Sequence, residues 1–420
     1  MKPFGKYLAL FALAFGSASS YALPYIKYIF YDALLKGLQI NNEQLGLLFT
    51  FYAGVHLCLY LPGGWMADRF SIRKILVFSF FGTAALCVWL AASMNYRSAI
   101  FVWAMLGFST GFAYWAATVK GVKRLGSNKE QGKMFGFFES FTGLSMAMIL
   151  FLALYIFSLF HSAVSSLRAV ILFYALMNLV AALIVTFFYK ESDVYEQERK
   201  EEQTQVRFVS VLRKPQIWLA SLIIFSGYGL FSGETFFTPY LTRVFGVTVG
   251  LSAILSIIRT YVLRFMGTPV GGLLSEKTGS SLKVLLFSFS VTGILLMAFF
   301  AVSPGTQFIV VLLLMFTASI TTYMAFGIMW ATVEEIRVPG SMLGMVIGVT
   351  SLIGYMPDLF VHTLFGRWLD LYGNDGYRYI FSFLILLCFI GTLSSTLFII
   401  SLKKNRTARK MQAEQVSHTF

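Results

Sequence analysis

Residues 63–76 read GGWMADRFSIRKIL: two adjacent glycines, one carboxylate and three cations pressed between two long apolar runs. So charged a turn in so apolar a chain marks a boundary, and the composition says of what. Of 420 residues, 57% are hydrophobic and 12% charged, about half the charged share of a soluble globular chain. One crossing of the hydrocarbon takes about 20 apolar residues, and windows of that length recur on both sides of the turn. Twelve are predicted, over 7–30, 43–67, 72–94, 98–119, 134–158, 165–189, 216–241, 248–272, 281–303, 307–332, 341–365 and 376–402. Each must be helical, because lipid offers no partner to a free backbone amide.

The first window runs on through YALPYIKYIF. That is about twice the length of a signal-peptide core, so a retained span is expected in place of a cleaved leader. Cys58, Cys87 and Cys388 fall inside apolar windows and read as small packing residues, without disulfide or metal roles. The net charge of +14 is an orientation signal. With the N-terminus in the cytoplasm, Lys2, Lys6, Arg69, Arg73, Lys74, Lys123, Arg124, Lys129, Lys133, the linker cations, Lys277, Lys283, Arg337 and the tail KKNRTARK fall on the inner side. The outer side then keeps only Lys36, Arg97, Arg168, Arg243, Arg367, Arg378 and Lys27. This is the positive-inside bias of an inner (cell) membrane protein with both termini cytoplasmic; no nucleic-acid partner is expected.

Residues 190–214, KESDVYEQERKEEQTQVRFVSVLRK, read as a cytoplasmic linker. It separates an N-terminal bundle over 1–189 from a C-terminal bundle over 215–402, with a basic tail at 403–420. The two halves repeat. ALPYIKYIF ends the first span as FTPYLTRVF ends the seventh, pairing Pro24 with Pro239 and Tyr25 with Tyr240. LPGGWMADR ends the second as PVGGLLSEK ends the eighth, pairing Gly64 with Gly272 and Asp68 with Glu276. YWAATVK ends the fourth as MWATVEE ends the tenth, pairing Trp115 with Trp330. Internal repeats of this kind build many secondary transporters.

The turn between the second and third spans, carried by Gly64, Asp68, Arg69, Arg73 and Lys74, resembles the hallmark loop of the major facilitator superfamily, and the resemblance extends over the whole chain. It implies an all-α membrane protein of twelve helices in two pseudo-symmetric six-helix bundles around a central cavity. Ser71 stands where the family usually has glycine, and the second copy, with Glu276, Lys277 and Gly279, lacks the following Arg-Lys pair. Physically, Gly63 and Gly64 let helices approach, and Asp68 suits a cation or a helix N-terminus across the bundle interface. Such contacts would latch one orientation of the halves. The plainer reading is that the cations set topology and meet anionic headgroups.

Ionisable groups inside spans are the functional candidates, because burying a charge in hydrocarbon is costly. They are Arg259 and Arg264 in the eighth span, Glu234 in the seventh, Asp358 in the eleventh and His56 in the second, with Lys120, Glu334 and Glu335 at the inner ends of the fourth and tenth. Glu139 begins the fifth. Arg259 offers a rigid fork for a carboxylate or phosphate, or a permanent ion pair with Glu234 or Asp358. Arg264 lies about 140° around the helix from it, so one is expected to face a cavity and the other a neighbouring helix. Asp358, Glu234 and Glu335 are the proton-coupling candidates, since a buried carboxyl that gains and loses a neighbouring cation takes up and releases a proton. Asp358 follows Pro357, where a kink is expected, and His362 one turn on is its alternative, structural partner.

Tyr21, Tyr25 and Tyr28 recur at helical spacing; Tyr21 and Tyr25 are expected in the cavity, with Trp115, Tyr228, Trp330, Tyr114 and Tyr323 of similar standing, and Lys120 as a further solute contact. Phosphate loops, metal clusters and nucleophile triads have no counterpart in the sequence, so neither enzyme chemistry nor a cofactor is expected. The function implied is proton-coupled symport of a small polar or anionic solute by a monomer in the lipid bilayer, the solute being an organic acid, sugar acid or phosphate ester. Proton-driven efflux of drugs or metabolites is the alternative. A non-transporting sensor would more often carry an added soluble domain.

Overall fold

The computed structural model describes residues 3–112, 114–126, 131–189, 214–303, 305–336 and 340–417, and helix is the only regular structure among them. In chain order the passages are Gly5–Leu38, Asn42–Arg69, Ile72–Ala92, Tyr96–Val122, Phe137–Ser158, Ala163–Phe188, Pro215–Phe245, Val249–Thr278, Ser281–Ala301, Phe308–Ile328 and Val346–Lys404. The last holds two spans, divided at a 3-10 turn, Gly373–Asp375, between helices Pro357–Tyr372 and Gly376–Ser417. Among the described residues the spans are therefore twelve, numbered below in this order. Their limits follow the predicted windows to within a few residues, except that the first continues to Leu38, the eighth to Thr278 and the eleventh to Tyr372.

Six spans are interrupted. The first stops at Ala22 and restarts at Lys27, because Pro24 lacks the amide that the ladder needs. The fourth breaks after Gly111, the tenth after Ile328 and the eleventh after Gly354. The seventh narrows to a 3-10 turn at Glu234–Phe236, and the eighth widens to a π turn at Ile258–Leu263. The first and seventh, and the fourth and tenth, are partners in the repeat, and paired interruptions in matching spans point to a binding region. The uninterrupted third, sixth, ninth and twelfth spans expose Phe78, Leu183, Ile294 and Phe389, the side chains of a surface that faces lipid. Burial is greatest in two of the interrupted spans: 78% of the first span's apolar window and 61% of the seventh's are buried, against 28% of the fifth's.

By packing the chain forms two compact units. The first comprises Met1–Lys200, Thr235–Val262 and Asp358–Tyr377. Its core packs Leu10 and Leu13 of the first span against Phe80, Tyr114 and Tyr189. Toward the other end of that span, polar contacts take over. Phe30 departs from helical backbone (φ −109, ψ 40), and the Tyr28 carbonyl accepts hydroxyls from Ser256 at 2.7 Å and Thr238 at 3.1 Å. Arg243 pairs with Asp32 at 3.2 Å. The Asp370 carboxylate accepts the amides of Asn42 and Glu43, the latter at 2.7 Å, capping the positive end of the second span. Glycines permit this approach: a Cβ on Gly46 or Gly366 would collide with the backbone of His362 or Asn42.

The second unit comprises Glu201–Glu234, Leu263–Pro357 and Arg378–Phe420. Here the eighth and tenth spans touch through Gly271, whose Cβ would lie 2.5 Å from the Met324 carbonyl. Their repeat partners, the second and fourth, touch in the first unit through Gly107, 2.5 Å by the same measure from the Tyr52 carbonyl. Glycine thus sets the same helix pair close in both halves. Of the cysteines, Cys87 and Cys388 are buried as expected, but Cys58 is exposed and is no packing residue.

Candidate functional site

In the first unit the break in the first span delivers Lys27 into the interior. The sequence reading set this side chain at the outer end of the first span with the outer-side cations, yet it is 1% exposed. The reason is that the apolar run does not end at residue 30, so Lys27 opens a buried helix instead of closing a span. Its Nζ stands 3.8 Å from the ring centroid of Phe49 and 5.4 Å from that of Phe236. No hydrogen-bond acceptor reaches it among the described residues. An ion placed this way costs about 3 kcal/mol at mid-membrane, and the ring faces return about 1–2 kcal/mol of it.

Phe49 lies 4.8 Å from the His362 ring, and His362 Nε2 lies 3.5 Å from Asp358 Oδ1. That is a close approach without a well-formed hydrogen bond. Lysine, phenylalanine, histidine and aspartate thus form one continuous contact series across the first, second and eleventh spans. The Asp358 charge acts on Lys27, His362, His56, Tyr25 and Tyr52. Pro357 starts the helix that carries Asp358, so the expected kink is a full break.

Tyrosines continue the series. Tyr25 lies 5.9 Å from Tyr52 and 6.1 Å from Tyr21, which lies 6.1 Å from Tyr114. Tyr52 is 5.6 Å from His56, and its hydroxyl meets Thr110 at 3.1 Å. The structure therefore brings together Tyr21, Tyr25 and Asp358 from the predicted set. Trp115 and Lys120 lie half-buried on Tyr114–Arg124, the helix that follows the break in the fourth span. Arg259 is 2% exposed within the π turn.

The second unit gathers a different set. Glu234 accepts a hydrogen bond from Ser319 at 2.8 Å. Arg264, half-buried, lays its guanidinium 4.8 Å from the Phe326 ring and 5.5 Å from that of Phe231, and makes no ion pair among the described residues. Tyr228 and Trp330 meet on Tyr355, at 4.6 and 6.0 Å, while Tyr323 packs at 6.3 Å from Phe231. Glu335 is half-buried; the Glu334 side chain lies outside the described residues. Glu139 is exposed.

Of the loop that opened the sequence reading, the side chains of Gly64, Asp68 and Arg69 lie outside the described residues, although their backbone completes the helix Asn42–Arg69. Arg73 and Lys74 are exposed on the first turn of the third span. Ser71, the departure from glycine, caps that helix: the Lys74 amide donates to its Oγ at 3.3 Å.

The family model described as Major Facilitator Superfamily matches residues 7–360. The chain belongs to the major facilitator superfamily. Its place in this family of transporters, which are not enzymes, agrees with its relatives. It is 30% identical over 404 residues to the inner membrane protein YihN of Escherichia coli (strain K12), covering 94% of this chain and 96% of YihN. Over 154 residues it is 26% identical to the probable galactarate/D-glucarate transporter GarP of the same organism, 34% of this chain and 33% of GarP. Among solved structures, a bacterial homolog to the human lysosomal transporter Spinster, inward-facing and unoccupied, matches with TM-score 0.73 at 15% identity, covering 96% of this chain and 98% of that one. At that identity the likeness shows the major facilitator fold.

Sequence reading of this superfamily member missed Lys27, Phe49, Tyr52 and Tyr355 as site residues. For Lys27 a signal was present: a lone cation inside the unbroken apolar run YALPYIKYIFYDALL. The aromatic partners carried none, because in a chain with 17% aromatic residues only three-dimensional convergence singles them out.

Proposed function

We propose that this chain is a secondary active transporter that carries a small organic anion, of the sugar-acid class, by alternating access with proton symport. The observation that carries the reading is Arg264: a half-buried guanidinium on two ring faces, beside the interruption of its span, with no carboxylate paired to it among the described residues. A planar fork so placed suits an incoming carboxylate. The name of GarP, a probable galactarate/D-glucarate transporter, supports the same solute class. Asp358 is the leading proton carrier, with Glu234 and Glu335 as further candidates; Tyr21, Tyr25, Trp115, Lys120, Tyr228, Trp330 and Arg259 complete the candidate solute contacts.

The wider organisation follows the same reading: bundles over 1–189 and 215–402, a linker at 190–214, both termini cytoplasmic and a monomeric carrier. Arg73 and Lys74 oppose the dipole of the helix they begin, which costs about 0.3–1 kcal/mol. Their presence therefore serves something other than that helix, in keeping with a latch shared with Gly64, Asp68 and Arg69.

Proteoliposomes with an imposed pH gradient test the function. Radiolabelled D-glucarate or D-gluconate should accumulate on the side the protons enter, and Arg264→Ala should lower uptake about tenfold or more. Accumulation against the proton flow, or of cationic drugs in place of acids, would replace symport by efflux.

A further inference from the structure

We propose that Lys27 holds the anionic group of the solute and that Asp358 competes with that group for the Lys27 charge, so that a proton on Asp358 is the condition for binding. The proposal rests on the anion-symport reading above and names the residues that would enforce it.

Lys27 carries three N–H donors. Phe49 and Phe236 cover it with ring faces, which hold a cation without offering a hydrogen-bond acceptor. An oxyanion with two or three oxygens supplies the missing acceptors. Asp358 is the carboxylate whose charge acts on Lys27, yet the two make no ion pair among the described residues; Phe49 and His362 form the series of contacts between them. Lys27 is thus balanced at a distance, and a closer anion displaces that balance.

Charge counting gives the coupling. With Lys27 protonated and Asp358 ionised, the pair is neutral. Addition of a monoanion beside Lys27 gives that one ammonium two anionic partners and the trio a net negative charge, which is costly inside the spans. One proton on an Asp358 oxygen restores neutrality, and the same proton leaves that oxygen when the anion departs. No other bond forms or breaks. Among the described residues, the titratable groups on which the Asp358 charge acts include, besides Lys27, Tyr25 of the first span, Tyr52 and His56 of the second and His362 of its own. None of these is a carboxylate able to compete with the solute for the ammonium.

Equilibrium binding of D-gluconate and D-glucarate to the purified full chain, on both sides of neutral pH, tests the pair. Wild type should bind more tightly as pH falls, because protonated Asp358 no longer competes. Lys27→Met should weaken binding about ten- to a hundredfold at every pH, with a melting temperature no lower than wild type, since a buried ion has been removed. Lys27→Arg should retain binding. Asp358→Asn should bind as wild type does at low pH, at all pH values, whereas His362→Gln should keep the pH dependence.

Wild-type affinity in Lys27→Met, or a pH dependence that survives in Asp358→Asn, overturns the proposal. A wild type that binds neither acid at any pH overturns the anion reading of the preceding section instead. If Lys27→Met does not fold, the pH profile of Asp358→Asn decides alone.

Discussion

Two buried carboxylates, both candidates for proton coupling, sit in unlike surroundings. In the second unit Glu234 takes a hydroxyl from Ser319 at 2.8 Å. In the first, Asp358 faces an imidazole at 3.5 Å and acts on the charge of a buried lysine. A neutral hydroxyl can serve a carboxyl in either protonation state, so the Ser319 contact can persist when Glu234 takes a proton. A proton on Asp358 removes half of an ionic balance and changes what Lys27 attracts. The difference teaches that burial alone does not make a coupling site; what counts is which neighbour of the carboxyl answers to its charge.

The sharpest way to break this comparison is to neutralise each carboxyl in turn. Asp358→Asn should abolish gradient-driven accumulation in proteoliposomes while leaving solute counterflow, and Glu234→Gln should lower both by less than about tenfold. The reverse ranking would move the coupling to the second unit.

A second pair of substitutions probes the helix approach that holds Asp358 in place. The backbone of Gly46 touches that of His362, so Gly46→Ala must push the second and eleventh spans apart. It should cost about 1–3 kcal/mol in thermal unfolding and raise cysteine labelling at introduced sites near Asp370. A Cβ on Gly272 meets nothing within 4 Å, and Gly272→Ala should stay within about 0.5 kcal/mol of wild type. Equal effects would mean that the tight packing around Asp358 contributes nothing special.

The smallest effects are expected from the polar contacts at the end of the first unit that carries Asp32, Arg243 and Asp370. Asp370→Ala removes the cap from two backbone amides and should cost about 1 kcal/mol. Arg243→Gln breaks a pair whose side chains are 26% and 21% exposed, and solvent screening holds its cost to about 0.5 kcal/mol. A larger loss from Arg243→Gln would make the ion pair, and not the helix cap, the main closure at that end.

The fold was legible because membrane spans announce themselves locally. A run of apolar residues long enough to cross must be a helix, and GGWMADRFSIRKIL marks one boundary between two of them. The kink at Pro357 was legible for the same reason, since a missing amide is written in the residue itself; the break at Pro24 carries the same mark but was read only as a repeat match to Pro239. The π turn at Ile258–Leu263 was not legible, as it carries no such mark at the point of departure. Lys27 lies inside the first predicted window yet was counted with the outer-side cations, because that window stops three residues beyond it while the helix runs on to Leu38. Which ionisable groups meet depends on helix rotation and tertiary packing, so the Lys27, His362 and Asp358 series emerges only in three dimensions.

The most direct test of anion and proton moving together needs no imposed gradient. Proteoliposomes in weak buffer would be given external D-gluconate while an external pH electrode is read. Alkalinisation that tracks solute entry, and vanishes in Asp358→Asn, is the predicted result. Solute entry with no pH change, or with acidification, would contradict it.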